Sequence, residues 1–130
     1  MSKSDFENLK VYTLSEVLAD EIWDMVMAWD RFAGDTVGSQ IVRAADSIGA
    51  NVAKGSGRGF QENRSFVRMA RGSLKETQHF LRRAYKRKLL NDDQVKRIRP
   101  LVANLAPMLN AYLKSIGRIP KQGTRLATDY

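Results

Sequence analysis

The sequence predicts an all-α protein, an antiparallel up-down four-helix bundle. Three observations predict it. Apolar residues recur at helical spacing through four long segments. The segments are joined by short connections marked by glycine, aspartate and asparagine. Nowhere does the chain show the strict alternation of a half-buried strand, so helices packed on helices are the economical solution. A chain of 130 residues with 43% hydrophobic content is one domain in size and buries roughly two thirds of its unfolded surface. Residues 1–120 are therefore read as the bundle and 121–130 as a flexible tail.

Each element follows in order. From Phe6 to Arg31, Val11, Leu14, Leu18, Ile22, Met25 and Trp29 form one helical face, with Glu16, Asp20 and Asp24 as an acidic stripe opposite. Tyr12, Ala19, Trp23 and Val26 fall between these faces, an apolar surplus that implies a second buried surface. Phe32 to Thr36, with Gly34 and Asp35, reads as a turn. A second helix follows from about Val37 to Lys54, its core side made of Val37, Ile41, Ala44, Ala45, Ile48 and Val52. These residues are small, which lets a neighbour approach closely. Gly55, Gly57 and Gly59 then favour a left-handed cap and a loop.

The third helix, Phe60 to Leu89, is about 45 Å long at 1.5 Å per residue. Phe66, Met69, Ala70, Ser73, Thr77, Phe80, Leu81 and Ala84 are expected to face the core. Arg64, Arg68, Arg71, Lys75, Arg82 and Lys86 share an arc of about 60°, with His79 at its edge. Asn91 with Gln94 three residues on has the form of a capping box, and Asp92 and Asp93 suit the positive end of a helix dipole. Val95, Ile98, Val102, Leu105, Leu109, Tyr112 and Ile116 make a coiled-coil-like seam on this fourth helix. Pro100 and Pro107, opposite the seam, are expected to bend or break it. Gly117 and Pro120 end it.

Charge is unevenly distributed. Eleven of the 22 lysines and arginines lie between Lys54 and Lys88, against only Glu62 and Glu76, so this segment carries the whole net charge of +8. Such a field attracts polyanions. The stripe has two readings: contact with nucleic-acid phosphates, or a solvated face that pairs with Glu16, Asp20 and Asp24 within or between subunits. Interleaved aromatics and helix-turn-helix or RNA-binding signatures are missing, so contact with nucleic acid is expected through backbone and shape.

Cysteine is absent, which removes disulfides, thiolate zinc sites and cysteine nucleophiles. The charged stretch Met1 to Lys10 is no signal peptide, and no span approaches the roughly 18 apolar residues of a transmembrane helix. A cytoplasmic protein is expected. Glu76 and His79 form one Glu-x-x-His pair where di-iron bundles use two, and His79 is the single histidine, so neither a metal nor another cofactor is expected. For the same reason no enzyme is expected. Gly55 to Gly59 with Arg58 could cradle a phosphate, but the strand and lysine of a phosphate loop are missing, which favours a helix-ending turn. Arg43, Asn51 and Glu76 are expected to form a buried hydrogen-bond network; the alternative is a small polar site near the glycine loop. Tyr12, Trp23 and Val26, with Leu101 and Met108 on the fourth helix, are the expected oligomer interface.

These residues together resemble the 23S rRNA intervening-sequence protein family. Phe6-Glu7-Asn8-Leu9-Lys10-Val11-Tyr12 resembles its opening, and Ser39-Gln40-Ile41, Arg43-Ala44-Ala45, Ser47-Ile48 and Asn51 its central helix. Gly55, Gly57 and Arg58 follow in register. Glu62, Phe66, Arg68, Ala70, Gly72-Ser73-Leu74 and Glu76 match the start of its third helix. The chain departs from the pattern at Gly49, usually proline, and at Lys54, usually acidic, which extends the basic surface beside Arg58. The resemblance implies a four-helix bundle, often a ring-like homopentamer, encoded in some bacteria within sequences that interrupt a large-subunit rRNA gene. The family is also similar in fold to accessory proteins of diversity-generating retroelements, which bind a reverse transcriptase and nucleic acid. Two functions follow as expectations. One is a non-enzymatic oligomer binding RNA or DNA through the third helix, with Lys54 and Arg58 adding charge. The other is a scaffold docking an acidic or nucleic-acid-bearing protein.

Overall fold

Four long helices carry the fold in the computed structural model, which describes residues 5–118: α1 (Lys10–Met27), α2 (Ser39–Ser56), α3 (Phe60–Lys86) and α4 (Asp92–Ser115). The described residues contain no strand. The expected tail, 121–130, and Pro120 lie outside them.

Helix α1 packs against α2 and α4, and α3 packs against the same two helices, so α1 and α3 occupy diagonal corners of a square. The core is made by Leu18 and Ile22 of α1, Ile41, Ile48 and Val52 of α2, Val67 of α3, and Leu105 and Leu109 of α4, all fully buried. Each such side chain contributes roughly 1.5–3 kcal/mol on burial.

The small residues of α2 set the spacing. A Cβ on Gly49 would lie 2.8 Å from Ser15 Oγ of α1, and one on Gly55 would lie 2.7 Å from Asn63 Oδ1 and 2.9 Å from Phe66 Cβ of α3. Two neighbours therefore approach α2 at positions where only glycine fits. At Gly49, the departure from the family pattern coincides with one of these close approaches.

Several boundaries differ from the sequence expectation. Helix α1 begins at Lys10, after a 3₁₀ turn at Asp5–Asn8. The turn after α1 lies at 28–30, four residues earlier than expected. Asp30 caps the next helix by accepting a hydrogen bond from the Ala33 amide at 2.9 Å. A short α-helical turn, Arg31–Ala33, runs into π-helix Gly34–Gly38 and on into α2, with helical torsions at both junctions. Gly34 adopts ordinary right-handed torsions, so its presence did not mark a break. Nor do Gly55, Gly57 and Gly59 form a left-handed cap, because among described glycines only Gly117 has positive φ, at 80°. Gly55 is inside α2, and Gly57 ends the helix at φ −94°.

The left-handed cap occurs instead at the end of α3, on Lys88 (φ 61°). The Leu89 amide donates to the Ala84 carbonyl and the Lys88 amide to the Tyr85 carbonyl, the two bonds of a Schellman motif. The capping box of Asn91 and Gln94 forms as expected. Helix α4 does not break at Pro100 or Pro107. Both are exposed, so water can serve the carbonyls that lose an amide partner. The core face of α3 is turned relative to expectation: Val67 and Leu74 are buried and Met69 is exposed. Position 69 looks away from both neighbouring helices, whereas 67 and 74 point between them.

The two ends of the bundle are tied differently. At one end the Trp29 indole donates to the Leu89 carbonyl at 2.9 Å, linking the α1–α2 turn to the α3–α4 connection. At the other, Arg64 donates to the Ile116 carbonyl at 3.1 Å, joining the start of α3 to the end of α4.

Candidate nucleic-acid interface

The basic residues of α3 form a stripe along the side facing α4, and their roles divide. Arg64 is spent on Ile116, and Arg71 donates to Asn110 Oδ1 of α4 at 3.0 Å, so both are struts between helices. Arg68, Lys75, Arg82 and Lys86 are exposed and enter no ion pair among the described residues. Lys54 is exposed as well. Arg58 leaves the set: its guanidinium donates to the Lys54 carbonyl and to Glu62 at 3.1 Å, and lies 5.0 Å from the Phe66 ring centroid. Glu62 and Phe66 sit about 180° around α3 from the stripe at 100° per residue, so Arg58 is turned away from it.

Glu16, Asp20 and Asp24 are exposed on α1. Within one chain they form no ion pair with the stripe, and α1 and α3 are diagonal, without direct packing between them. Ion pairs among the described residues join Arg31 to Asp35, Arg58 to Glu62, and Arg97 of α4 to Glu21 of α1. On the acidic side, Asp46 of α2 has its carboxyl pKa raised by partial burial and then by the nearby Asp20 charge. The Tyr12 hydroxyl is raised by burial, with the adjacent Glu16 adding to the effect.

Alongside the stripe runs a groove between α3 and α4. Its wider part, about 500 Å³, has a floor of Leu81, Leu90, Val95, Ile98 and Val102, with Tyr85, Arg82 and Arg99 around it. It continues past Gln78 into a smaller hollow of about 340 Å³ bordered by Arg71, Lys75 and Asn110. The groove exists because α4 fully buries few of its seam residues. Ile98, Leu105 and Leu109 are buried, while Val95 and Val102 are only half-buried. Sequence reading missed this groove. The signal for it was the combination of Tyr85, Leu90 and Arg99, which lie on two helices and the connection between them.

Other expected sites come apart. Arg43 and Glu76 are exposed, and the Asn51 amide donates to the Ser47 carbonyl of its own helix at 2.9 Å, so no buried network joins them. Glu76 and His79 are both at the surface. Of the five interface candidates only Trp23 is exposed. Tyr12, Val26, Leu101 and Met108 are half-buried against the core, since each borders a neighbouring helix. The exposed apolar residues are instead Val17, Trp23, Met27, Phe32, Phe60, Met69 and Tyr85.

The fold is thus a four-helix bundle with one cationic edge on α3 and a separate acidic one on α1. The family of 23S rRNA-intervening sequence proteins matches residues 7–111, and the chain belongs to it. No curated protein matches the chain. Among the described residues no helix is long and apolar enough to cross a membrane.

Proposed function

We propose that the protein is a non-enzymatic, homo-oligomeric bundle that binds nucleic acid through the exposed cations of α3. The observation that carries this reading is the set Arg68, Lys75, Arg82 and Lys86: four exposed cations along one helix edge, none of them in an ion pair among the described residues. Lined up on a helix, they are suited to follow a phosphate backbone, so binding depends mainly on charge and shape. The family's name links it to sequences that intervene in 23S rRNA, which makes RNA the first polyanion to test. A pentamer is the copy number expected from the resemblance.

Fluorescence anisotropy with structured RNA, duplex DNA and single strands tests the reading. With four phosphates neutralised, log affinity falls against log salt with a slope of about −3. Replacing Arg68, Lys75, Arg82 and Lys86 with glutamine should remove most binding and flatten the slope, with the helical circular dichroism unchanged. A parent protein that binds none of the probes at low salt overturns the proposal. So does a variant that binds as tightly as the parent.

A further inference from the structure

We infer that the exposed face of α1 in one chain seats in the α3–α4 groove of a second copy, a head-to-tail contact. The inference rests on the homo-oligomer part of the reading above; it shares Arg82 with the nucleic-acid part and leaves Arg68 and Lys86 to it.

The two faces complement each other in charge and in apolarity. The groove has an aliphatic floor, with Tyr85, 56% exposed, beside it and Arg82 and Arg99 at its rim. A partner helix can cover these apolar side chains. That partner must be apolar in the middle and anionic at its edges. The outward face of α1 has this composition: Val17, Trp23 and Met27 are 48%, 54% and 69% exposed, and Glu16, Asp20 and Asp24 are interleaved with them. An amphipathic helix laid in a groove is a recurring mode of recognition, and aromatic anchors with flanking charge pairs are its usual currency.

Lengths agree as well. The carboxylates from Glu16 to Asp24 span about 12 Å of helix, and the cations from Arg71 to Arg82 span about 16 Å. Arg71 is held by Asn110, and Lys75 borders the same hollow, so the basic edge is continuous along the groove.

Within one chain the contact is not made: Trp23 and Tyr85 are both exposed. The donor residues lie on the side of α1 away from its buried face of Leu18, Ile22 and Met25, so each chain carries a donor face and an acceptor groove on different surfaces. Different surfaces on the two partners make the interface heterologous, so repetition closes a ring or extends a filament. In the assembly the carboxylates of α1 engage the rim at Arg82 and Arg99. Arg68 and Lys86, on the outer edge of the stripe, stay open and are repeated from copy to copy.

The experiment is multi-angle light scattering of the full chain and of two charge-reversed variants. One variant carries Asp20→Arg and Asp24→Arg; the other carries Arg82→Glu and Arg99→Glu. All four positions are exposed, and circular dichroism checks that each variant folds. The parent should have a mass that is a multiple of 14.7 kDa, and each variant should fall to the monomer mass. Mixing the two variants should restore assembly beyond the monomer, because the intact groove of one takes the intact α1 face of the other and the two reversed surfaces complement each other in turn. Joining all four changes in one chain should restore the parent mass. A monomeric parent overturns the homo-oligomer reading and this contact together. An oligomeric parent whose variants keep its mass overturns this contact alone.

Discussion

Two glycine-to-alanine substitutions in the same bundle should shift stability in opposite directions, and the structure supplies the reason. Gly72 lies on the exposed side of α3 with no atom within 4 Å of the Cβ that alanine would add. Relief of the backbone entropy of glycine in a helix then stabilises Gly72→Ala by about 0.5–1 kcal/mol. Gly55 gains less in propensity, being at the end of α2, and its new Cβ would meet Asn63 Oδ1 at 2.7 Å, Phe66 Cβ at 2.9 Å and Asn63 Cα at 3.2 Å. The amide of a buried Asn63 has little room to turn aside, and the Phe66 Cβ and Asn63 Cα cannot yield without moving α3. Overpacking of this kind costs about 1–3 kcal/mol, so Gly55→Ala should destabilise by about 1–2 kcal/mol net. In a domain of this size each kcal/mol moves Tm by roughly 3–5 °C. Urea titration followed by far-UV circular dichroism, at one protein concentration because assembly adds to apparent stability, should place the two midpoints on opposite sides of the parent. If Gly55→Ala unfolds at the parent midpoint or above it, α2 and α3 do not approach as closely as described, and the packing argument fails.

Three further outcomes are expected. Lys88→Gly should raise stability by about 1 kcal/mol, because Lys88 holds a left-handed conformation that costs an L-residue that much; an unchanged midpoint would count against the Schellman cap. Asn91→Ala removes the side-chain oxygen that accepts from the Gln94 amide, one half of the capping box of α4, and should cost about 1 kcal/mol in the same titration, with Asp92→Ala as a milder comparison. Asp46→Asn should raise Tm at neutral pH. The folded state raises this carboxyl's pKa, so the stability from its protonated form is present below the usual value of about 3.9 and is lost as pH rises through the raised value. The advantage of asparagine should therefore shrink as the solution is acidified through that range; a pH-independent gain would refute the assigned cause.

Local pattern was enough for elements whose identity rests on neighbouring residues. The spacing of Leu18, Ile22 and Met25, the seam through Ile98, Leu105 and Leu109, and the Asn91–Gln94 capping box could all be read directly, because each depends on contacts within a few turns or on one continuous apolar face. The stripe on α3 was legible for the same reason: 100° per residue places Arg68, Lys75, Arg82 and Lys86 on one edge whatever the helix packs against.

Errors arose where glycine and the helix neighbours mattered. Gly34 and Gly55 read as punctuation in the sequence, but one adopts ordinary helical torsions and the other is a point of contact with α3. Propensity for a turn and clearance for a neighbour leave the same mark in a sequence. The sequence by itself determined the four helices, their short connections, the family and the existence of one basic and one acidic stripe. Only the tertiary structure decided which cations are free, since Arg58, Arg64 and Arg71 are bound by partners at distances no periodicity encodes. It alone placed α1 and α3 on diagonal corners. That choice keeps the opposite charges of one chain apart and opens the groove beside the stripe, and it follows from which helix faces pack together.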